Sequence, residues 1–267
     1  MSHLLIHKAQ GIATLTLNRP EVHNAFDDAL IAAIVSALND VEQDPNVRVV
    51  MLAASGKHFS AGADLAWMKR MAELDEAQNQ ADAQDLAELM YRLNHLSKPT
   101  IALVNGAAYG GAVGLIACCD MAIATQRSRF CLSEVKIGLS PAVISPFVIR
   151  AMGERQARRY FLSAEVFDAQ QAERFELIHQ VVENEEALIT AGDILAQGLL
   201  QNSPQAVSKT KALIQTVSGA ALNSDTRNYT VKLIAGIRVS DEGQEGLSAF
   251  LEKRSPSWQV LAAKDNG

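Results

Sequence analysis

Cysteine is scarce in this sequence of 267 residues. It has three cysteines, Cys118, Cys119 and Cys131, and no CxxC pair. This number and spacing exclude a disulfide framework and a cysteine-rich zinc site. We therefore expect buried free thiols in a protein of a reducing compartment.

Long hydrophobic runs and an excess of positive charge are also missing. No uninterrupted apolar stretch is long enough to cross a bilayer, and the segment MSHLLIHKAQG lacks the apolar core and cleavage site of a signal peptide. The 24 basic and 30 acidic residues give a net charge of −6, which disfavours nucleic acid and anionic membranes as partners. The composition predicts a cytoplasmic protein that binds neither of them.

The sequence does contain alternating strand and helix signals. Residues 12–17 alternate apolar and polar side chains, which predicts a strand that pairs with residues 4–7. Residues 47–53 and 100–104 are almost entirely apolar, as is typical of strands covered on both faces. This alternation with helical segments predicts an α/β fold. After Ser145 the pattern is mostly helical, and the last 50 or so residues contain helix signals only.

Two loops share one arrangement, in which an apolar strand leads into a run of Gly and Ala and then into a helix. They are HFSAGADL at residues 58–65 and NGAAYGGAVGL at residues 105–115. Small residues let a ligand approach the backbone, and a helix start leaves amide groups unpaired. Two such amides aimed at one oxygen would form an oxyanion hole. Either loop alone is also an ordinary α/β connection, and neither contains a P-loop, a dinucleotide fingerprint or a nucleophile elbow.

Five segments, in this order, resemble the enoyl-CoA hydratase/isomerase (crotonase) family: RPEVHNAF, FSAGADL, NGAAYGGAVGL, CLSEVKIGLSPA and EGLSAFLEKR. The resemblance implies an α/β crotonase-like spiral of ββα units with a helical C-terminal oligomerisation region. It divides the chain into an acyl-CoA-binding spiral core, residues 1–200, and a helical region, residues 201–267. It further implies a homotrimer or hexamer, an acyl-CoA thioester as substrate, no metal, and no cofactor other than the coenzyme A of the substrate.

The same resemblance implies roles for individual residues. The backbone amides of Ala63 and Gly111 would form the oxyanion hole, and Glu134 would be the catalytic acid and base. A further set would bind substrate along the coenzyme A path, namely Ala25, Ala61, Asp64, Leu65, Ala66, Phe250 and Lys253. Within this set, Asp64 is expected to hydrogen-bond its own loop, and Lys253 to meet coenzyme A phosphates, often from a neighbouring subunit.

One position departs from the pattern of the family's hydratases. These enzymes carry a first glutamate three residues after the oxyanion glycine, where this sequence has Gly114. The family's hydratases carry a second glutamate at the position of Glu134. Its Δ3,Δ2-enoyl-CoA isomerases typically keep this second glutamate and lack the first. The surrounding segments, such as GADLAWMKRM, instead resemble the bacterial methylglutaconyl-CoA and carboxygeranoyl-CoA hydratases of leucine and terpene degradation.

We therefore expect a hydratase for an α,β-unsaturated acyl-CoA with a branched or carboxylated acyl group. A single-glutamate isomerase is the enzymatic alternative, and a non-catalytic acyl-CoA-binding protein is the alternative of another class. A carboxylated acyl group would need a cation, for which Lys69, Arg70 and Lys136 are the candidates.

Overall fold

The computed structural model describes residues 2–260 of the chain. Their backbone forms two β-sheets with helices on both faces of the larger one. The strands are β1 (Leu4–Ala9), β2 (Ile12–Leu17), β3 (Val49–Ala54), β4 (Thr100–Val104), β5 (Ala107–Tyr109), β6 (Met121–Thr125), β7 (Arg129–Cys131), β8 (Phe167–Asp168) and β9 (Gln180–Val182). The helices are α1 (Asp28–Gln43), α2 (Leu65–Met71), α3 (Glu76–His95), α4 (Gly111–Cys118), α5 (Ser145–Ser163), α6 (Ala169–Arg174), α7 (Glu185–Leu200), α8 (Pro204–Val217), α9 (Ser224–Arg238), α10 (Asp241–Glu252) and α11 (Ser257–Val260).

The larger sheet has the strand order β1-β2-β3-β4-β6-β9, in which only the β1–β2 pair is antiparallel. The strand predicted from the alternation at residues 12–17 is confirmed, and so is its pairing with β1. The smaller sheet, β5-β7-β8, lies beside it. Strand β5 escaped prediction because its three residues lie inside the Gly/Ala-rich loop and show no periodicity of their own.

Strands β3 and β4 are covered on both faces, as their apolar sequences predict. Val50 and Leu52 face the main core beneath α1, α3 and α4, whereas Val49 and Met51 pack toward α7 on the other side. Every residue of β4 is buried. This double cover holds the carboxyl ends of the parallel strands, and the loops that follow them, on a rigid base.

Side-chain caps begin several helices, at residue types that favour a helix start. Asp27 accepts a hydrogen bond from the amide of Leu30 at the start of α1, and Ser203 caps α8. Asp75 and Gln78 form a reciprocal capping box at α3. Each cap of this kind stabilises its helix by about 1 kcal/mol, which makes these boundaries readable from sequence.

A buried lysine helps to tie the C-terminal helices to the core. Lys211 of α8 donates from Nζ to Asp120 Oδ2 at 2.7 Å and to the carbonyl of Lys98 at 3.2 Å. Helices α9 and α10 and the turn between them expose apolar side chains, including Val231, Ile234, Val239, Leu247, Phe250 and Leu251. The predicted oligomerisation through this region stays a prediction.

The three cysteines are free, as predicted, and Cys118 and Cys131 are buried. Burial raises the pKa of all three thiols, that of Cys119 to about 12, so none is an activated thiolate. No helix within residues 2–260 combines the length and apolarity that a membrane crossing needs.

Candidate active site

The two Gly/Ala-rich loops lie against each other. The amide of Ser60 donates to the carbonyl of Ala107 at 3.0 Å, and the amide of Tyr109 donates to the carbonyl of Ser60 at 3.0 Å. These bonds form a parallel bridge between Ser60 and Ala108, so the first loop extends the small sheet at β5. Each loop then enters its helix, and the starts of α2 and α4 become neighbours.

The backbone around Ala63 is fixed so that its N–H makes no hydrogen bond to the neighbouring backbone. A parallel bridge links Ala63 to Phe26, through bonds from the Phe26 amide to the Gly62 carbonyl and from the Asp64 amide to the Phe26 carbonyl, both 2.7 Å. In a parallel bridge the partner bonds to the residues on either side, so the N–H of Ala63 faces away from Phe26. Within residues 2–260 this N–H donates to no protein acceptor.

Gly111 is the first residue of α4, where a helix has no internal acceptor for its amide. The preceding Gly110 adopts φ 55° and ψ −123°, a conformation that glycine tolerates best, and its own amide donates to the carbonyl of Cys131. The sharp turn leaves the Gly111 N–H without a protein acceptor in the described chain. The partial positive charge of the helix start reinforces this amide as a site for a negatively charged oxygen.

Glu134 reaches the same place because two parallel strands end side by side. Tyr109 at the end of β5 pairs with Cys131 at the end of β7. Because the strands are parallel, the segments that follow them leave the sheet in the same direction. Glu134 begins a short 3-10 helix directly after β7. A Cβ atom on Gly110 would lie only 3.1 Å from Glu134 Oε1, so the carboxylate sits against the turn that presents the Gly111 amide.

A cavity of about 520 Å³ joins these three groups. Its wall includes Ala63, Gly111 and Glu134, and helices α2 and α3 close it with the side chains of Leu65, Trp67, Met68, Met71 and Leu86. Glu134 Oε2 is buried without a hydrogen-bond partner in the described chain. Burial accordingly raises the pKa of the Glu134 carboxyl, which makes it a stronger proton acceptor than an exposed glutamate.

The raised pKa of Glu134 predicts the acid limb of the pH profile. A carboxylate that accepts a proton from water must be ionised, so kcat/KM should fall as pH drops through the pKa of this group. We expect the limb to lie above 4.5, the ordinary value for a glutamate. Steady-state assays from about pH 4 to 9 would locate it, and a limb at or below the ordinary value would contradict the assignment. A dephospho-coenzyme A thioester, which lacks the 3′-phosphate, controls for titration of the substrate.

Some of the other predicted binding residues line the cavity and others do not. Ala61 and Leu65 line the cavity beside Ala63, whereas Ala25, Asp64 and Ala66 lie in the adjoining segments and outside the cavity wall. Phe250 lies in the last turn of α10 and Lys253 caps the end of that helix, and neither lines this cavity in the single chain. Phe250 is 81% exposed. Their predicted contact with coenzyme A from a neighbouring subunit stays a prediction.

Arg19 organises this region and was not identified from sequence as a site residue. Its guanidinium lies 3.0 Å from Asp27 Oδ2 and 3.1 Å from Asp64 Oδ2, and it donates to the carbonyl of Ala25 at 2.6 Å. Asp64 also caps α2, by accepting from the amides of Ala66 and Trp67. The expectation that Asp64 hydrogen-bonds its own loop therefore agrees with these contacts, and the RPEVHNAF segment supplies the cation that holds it.

Two further residues that the sequence did not single out, Trp67 and Asp82, lie in the cavity wall. The indole Nε1 of Trp67 on α2 donates to Asp82 Oδ1 on α3 at 2.9 Å, and both side chains line the cavity. Asp82 is thus a second carboxylate in the wall. Only the packing of α2 on α3 brings the two residues together, because no local pattern relates positions 15 residues apart.

The three candidate cations for a substrate carboxylate lie outside the cavity wall. Lys69 and Lys136 are exposed, and Arg70 pairs with Asp28 at 2.8 Å on the protein surface. No lysine or arginine lines the cavity within the described residues. In that part of the chain there is also no group of three or more His, Cys, Asp or Glu side chains placed to hold a metal ion.

Comparison with known proteins gives an independent line of evidence. The family profile described as enoyl-CoA hydratase/isomerase matches residues 7–260. The chain is 33% identical to the 2,3-dehydroadipyl-CoA hydratase of Escherichia coli, over 97% of this chain and 99% of that protein. It is 35% identical to the mevalonyl-coenzyme A hydratase of Aspergillus fumigatus, over 93% of this chain and 91% of that protein.

A solved structure is similar over nearly the whole length. The crystal structure of an enoyl-CoA hydratase from Shewanella pealeana matches with a TM-score of 0.93 and 49% sequence identity, covering 96% of each chain. The predicted α/β fold of the crotonase type, with helices at the C-terminus, is thereby confirmed.

Proposed function

Since this chain belongs to the enoyl-CoA hydratase/isomerase family, we propose that it adds water across the double bond of an α,β-unsaturated acyl-CoA thioester. The observation that carries the proposal is the Glu134 carboxylate, whose Oε2 has no hydrogen-bond partner among residues 2–260, in one cavity with the amides of Ala63 and Gly111, which donate to no acceptor among the same residues. These are the parts that the reaction requires, namely donors for a developing oxyanion and a group that moves a proton.

The mechanism follows from these positions. The amides of Ala63 and Gly111 donate to the thioester oxygen, which draws electron density from the double bond and makes Cβ electrophilic. Glu134 takes a proton from water as the water oxygen bonds to Cβ, and the thioester becomes an enolate held by the two amides. The proton then passes from Glu134 to Cα, which completes the addition of water and restores the carboxylate.

The acyl group is proposed to be branched and uncharged. One relative is a mevalonyl-CoA hydratase, whose acyl group is branched and uncharged. The methylglutaconyl and carboxygeranoyl groups are branched and also carboxylated, so the resemblance to their hydratases supports the branch alone. The alternative, a carboxylated chain, has a relative in the dehydroadipyl-CoA hydratase. It would place a negative charge in a wall that already carries Glu134 and Asp82 and has no described cation. Like charges close together in a partly buried site repel, so the uncharged acyl group has the better support.

No further cofactor enters this reaction scheme, because the thioester of coenzyme A supplies the electron-withdrawing group. A homotrimer or hexamer would bring Phe250 and Lys253 of a neighbouring copy to the coenzyme A, as the family resemblance implies.

A double-bond isomerase is the second candidate, and one observation favours it. Gly114 stands where two-glutamate hydratases carry their first carboxylate, and the side chain of Ile144 covers it. A single carboxylate can remove a proton from one carbon and return it to another without taking up water.

Product analysis separates these candidates. The purified protein would be incubated with crotonyl-CoA, 3-methylcrotonyl-CoA, 3-methylglutaconyl-CoA and trans-3-hexenoyl-CoA, with products identified by mass spectrometry and chromatography. We expect 3-hydroxyacyl products, formed more efficiently from 3-methylcrotonyl-CoA than from 3-methylglutaconyl-CoA. Conversion of trans-3-hexenoyl-CoA to the trans-2 isomer without hydration would establish the isomerase instead. Tight binding of these thioesters with no turnover would support the non-catalytic alternative.

A further inference from the structure

The side chain of Ile144 fills the space between the start of α5 and Gly114 of α4, beside the candidate active site. Ile144 directly precedes α5, is only 2% exposed, and its side chain forms part of the cavity wall. The facing residue is Gly114, one turn into α4 after Gly111. Because Cβ atoms tilt toward the N-terminus of a helix, a side chain at position 114 would extend toward Gly111 and the cavity.

The space for such a side chain is already filled. A Cβ atom on Gly114 would lie 2.3 Å from Ile144 Cγ2 and 2.7 Å from Ile144 Cβ, with Met90 Cε at 3.2 Å. The two distances to Ile144 are far below van der Waals contact, and they involve the branched part of a side chain packed in the core. Gly114 has an ordinary helical backbone, so packing, and not conformation, requires glycine there.

We propose that Ile144 is the specificity-determining residue that restricts this site to a single carboxylate. Its side chain presents an apolar wall where a second acid would otherwise project from α4, which leaves Glu134 as the one carboxylate at the turn that carries Gly111. Asp82, the other acid in the wall, is engaged by the indole of Trp67 on the α2–α3 side. The inference rests on the proposed function for its chemistry, whereas its steric part is independent of any activity.

A double-mutant cycle tests the steric part. Gly→Ala at a helix interior normally stabilises by up to about 1 kcal/mol, so a lower melting temperature for Gly114→Ala would be diagnostic of overlap. Ile144→Gly alone should also lower it, because it opens a cavity. Glycine removes both Cγ2 and Cβ of Ile144, so the added methyl has space in the double variant, and the combined loss should be clearly smaller than the sum of the single losses. Additive losses, or a Gly114→Ala variant as stable as the parent, would overturn the proposal.

A matched pair of variants tests the chemical part. Ile144→Gly would be combined with Gly114→Glu in one protein and with Gly114→Gln in the other, which differ only in the acid. Circular dichroism and melting temperature establish that both are folded. We expect the Glu protein to hydrate crotonyl-CoA at least about tenfold faster than the Gln protein, since a positioned acid or base contributes about 10²- to 10⁴-fold in evolved sites.

The outcomes distinguish this inference from the proposed function. Equal hydration rates for the two folded double variants would sink the claim that Ile144 excludes a working second acid. A parent protein that hydrates no enoyl-CoA would contradict the proposed function alone, because the stability cycle measures the overlap without any substrate. A gain of hydration in the Glu variant over an inactive parent would still support the role of Ile144.

Discussion

Glu134→Gln is expected to lower kcat for hydration by about 10²- to 10⁴-fold. The amide keeps the shape of the side chain against Gly110, but it cannot accept a proton from water or return one to Cα. Binding of the acyl-CoA should persist, because the amides of Ala63 and Gly111 and the cavity wall are unchanged. Steady-state kinetics with crotonyl-CoA, and titration of a non-reactive acyl-CoA, measure the two quantities separately.

Glu154→Gln is the matched control, because Glu154 is an exposed acid of α5 outside the cavity. Its turnover should equal that of the parent protein. Near-parental turnover of Glu134→Gln would remove this carboxylate from the mechanism. Weakened binding with unchanged turnover would assign it to binding only.

The same substitution carries a stability signature. Burial raises the folded-state pKa of Glu134 above its unfolded value. The cost of its charge is therefore absent well below the unfolded pKa, grows between the two pKa values and is fully present above the folded pKa. Glu134→Gln should raise the melting temperature at neutral pH, and the gain should vanish well below the ordinary pKa of 4.5, where both states are protonated. If the substitution lowers activity and raises stability, Glu134 is a functional residue whose buried charge lowers the stability of the folded state.

Gly111→Pro is expected to reduce kcat/KM by about 10²- to 10³-fold, because one lost oxyanion donor raises the barrier by about 3–4 kcal/mol. Proline lacks the N–H group, yet it suits the first position of a helix, where the amide has no internal acceptor. Gly111 is that residue in α4. The substitution thus removes a donor that the fold itself does not use.

Gly111→Ala is the control, because it adds a side chain and keeps the N–H. Its Cβ atom would lie 3.7 Å from the Phe26 ring, which is ordinary contact. We expect the Ala variant to stay within a few-fold of the parent, and both variants to melt cooperatively. Equal losses for Pro and Ala would show that the side chain and not the amide is responsible, and would remove Gly111 from the oxyanion hole.

The local elements of this protein follow from its sequence. The alternation at residues 12–17, the apolar strand at residues 100–104, and the caps at Asp27, Asp75 and Ser203 all act over a few residues, so their physics is visible in the order of side chains. The pattern of strand, Gly/Ala-rich loop and helix likewise indicates where free amides arise. The resemblance of five segments to one family added the roles expected of Ala63, Gly111 and Glu134.

The assembly of the cavity was decided by tertiary structure. The bridge of Ser60 to Ala108, the position of Glu134 against Gly110, and the cover of Ile144 over Gly114 join residues 24 to 48 positions apart, and no helix or strand period relates them. Such contacts exist only once parallel strands have paired and the helices have packed on them. The sequence alone therefore determined which groups are available, whereas the packed sheets decided that they meet at one cavity and that Ile144 leaves no space there for a second acid on α4.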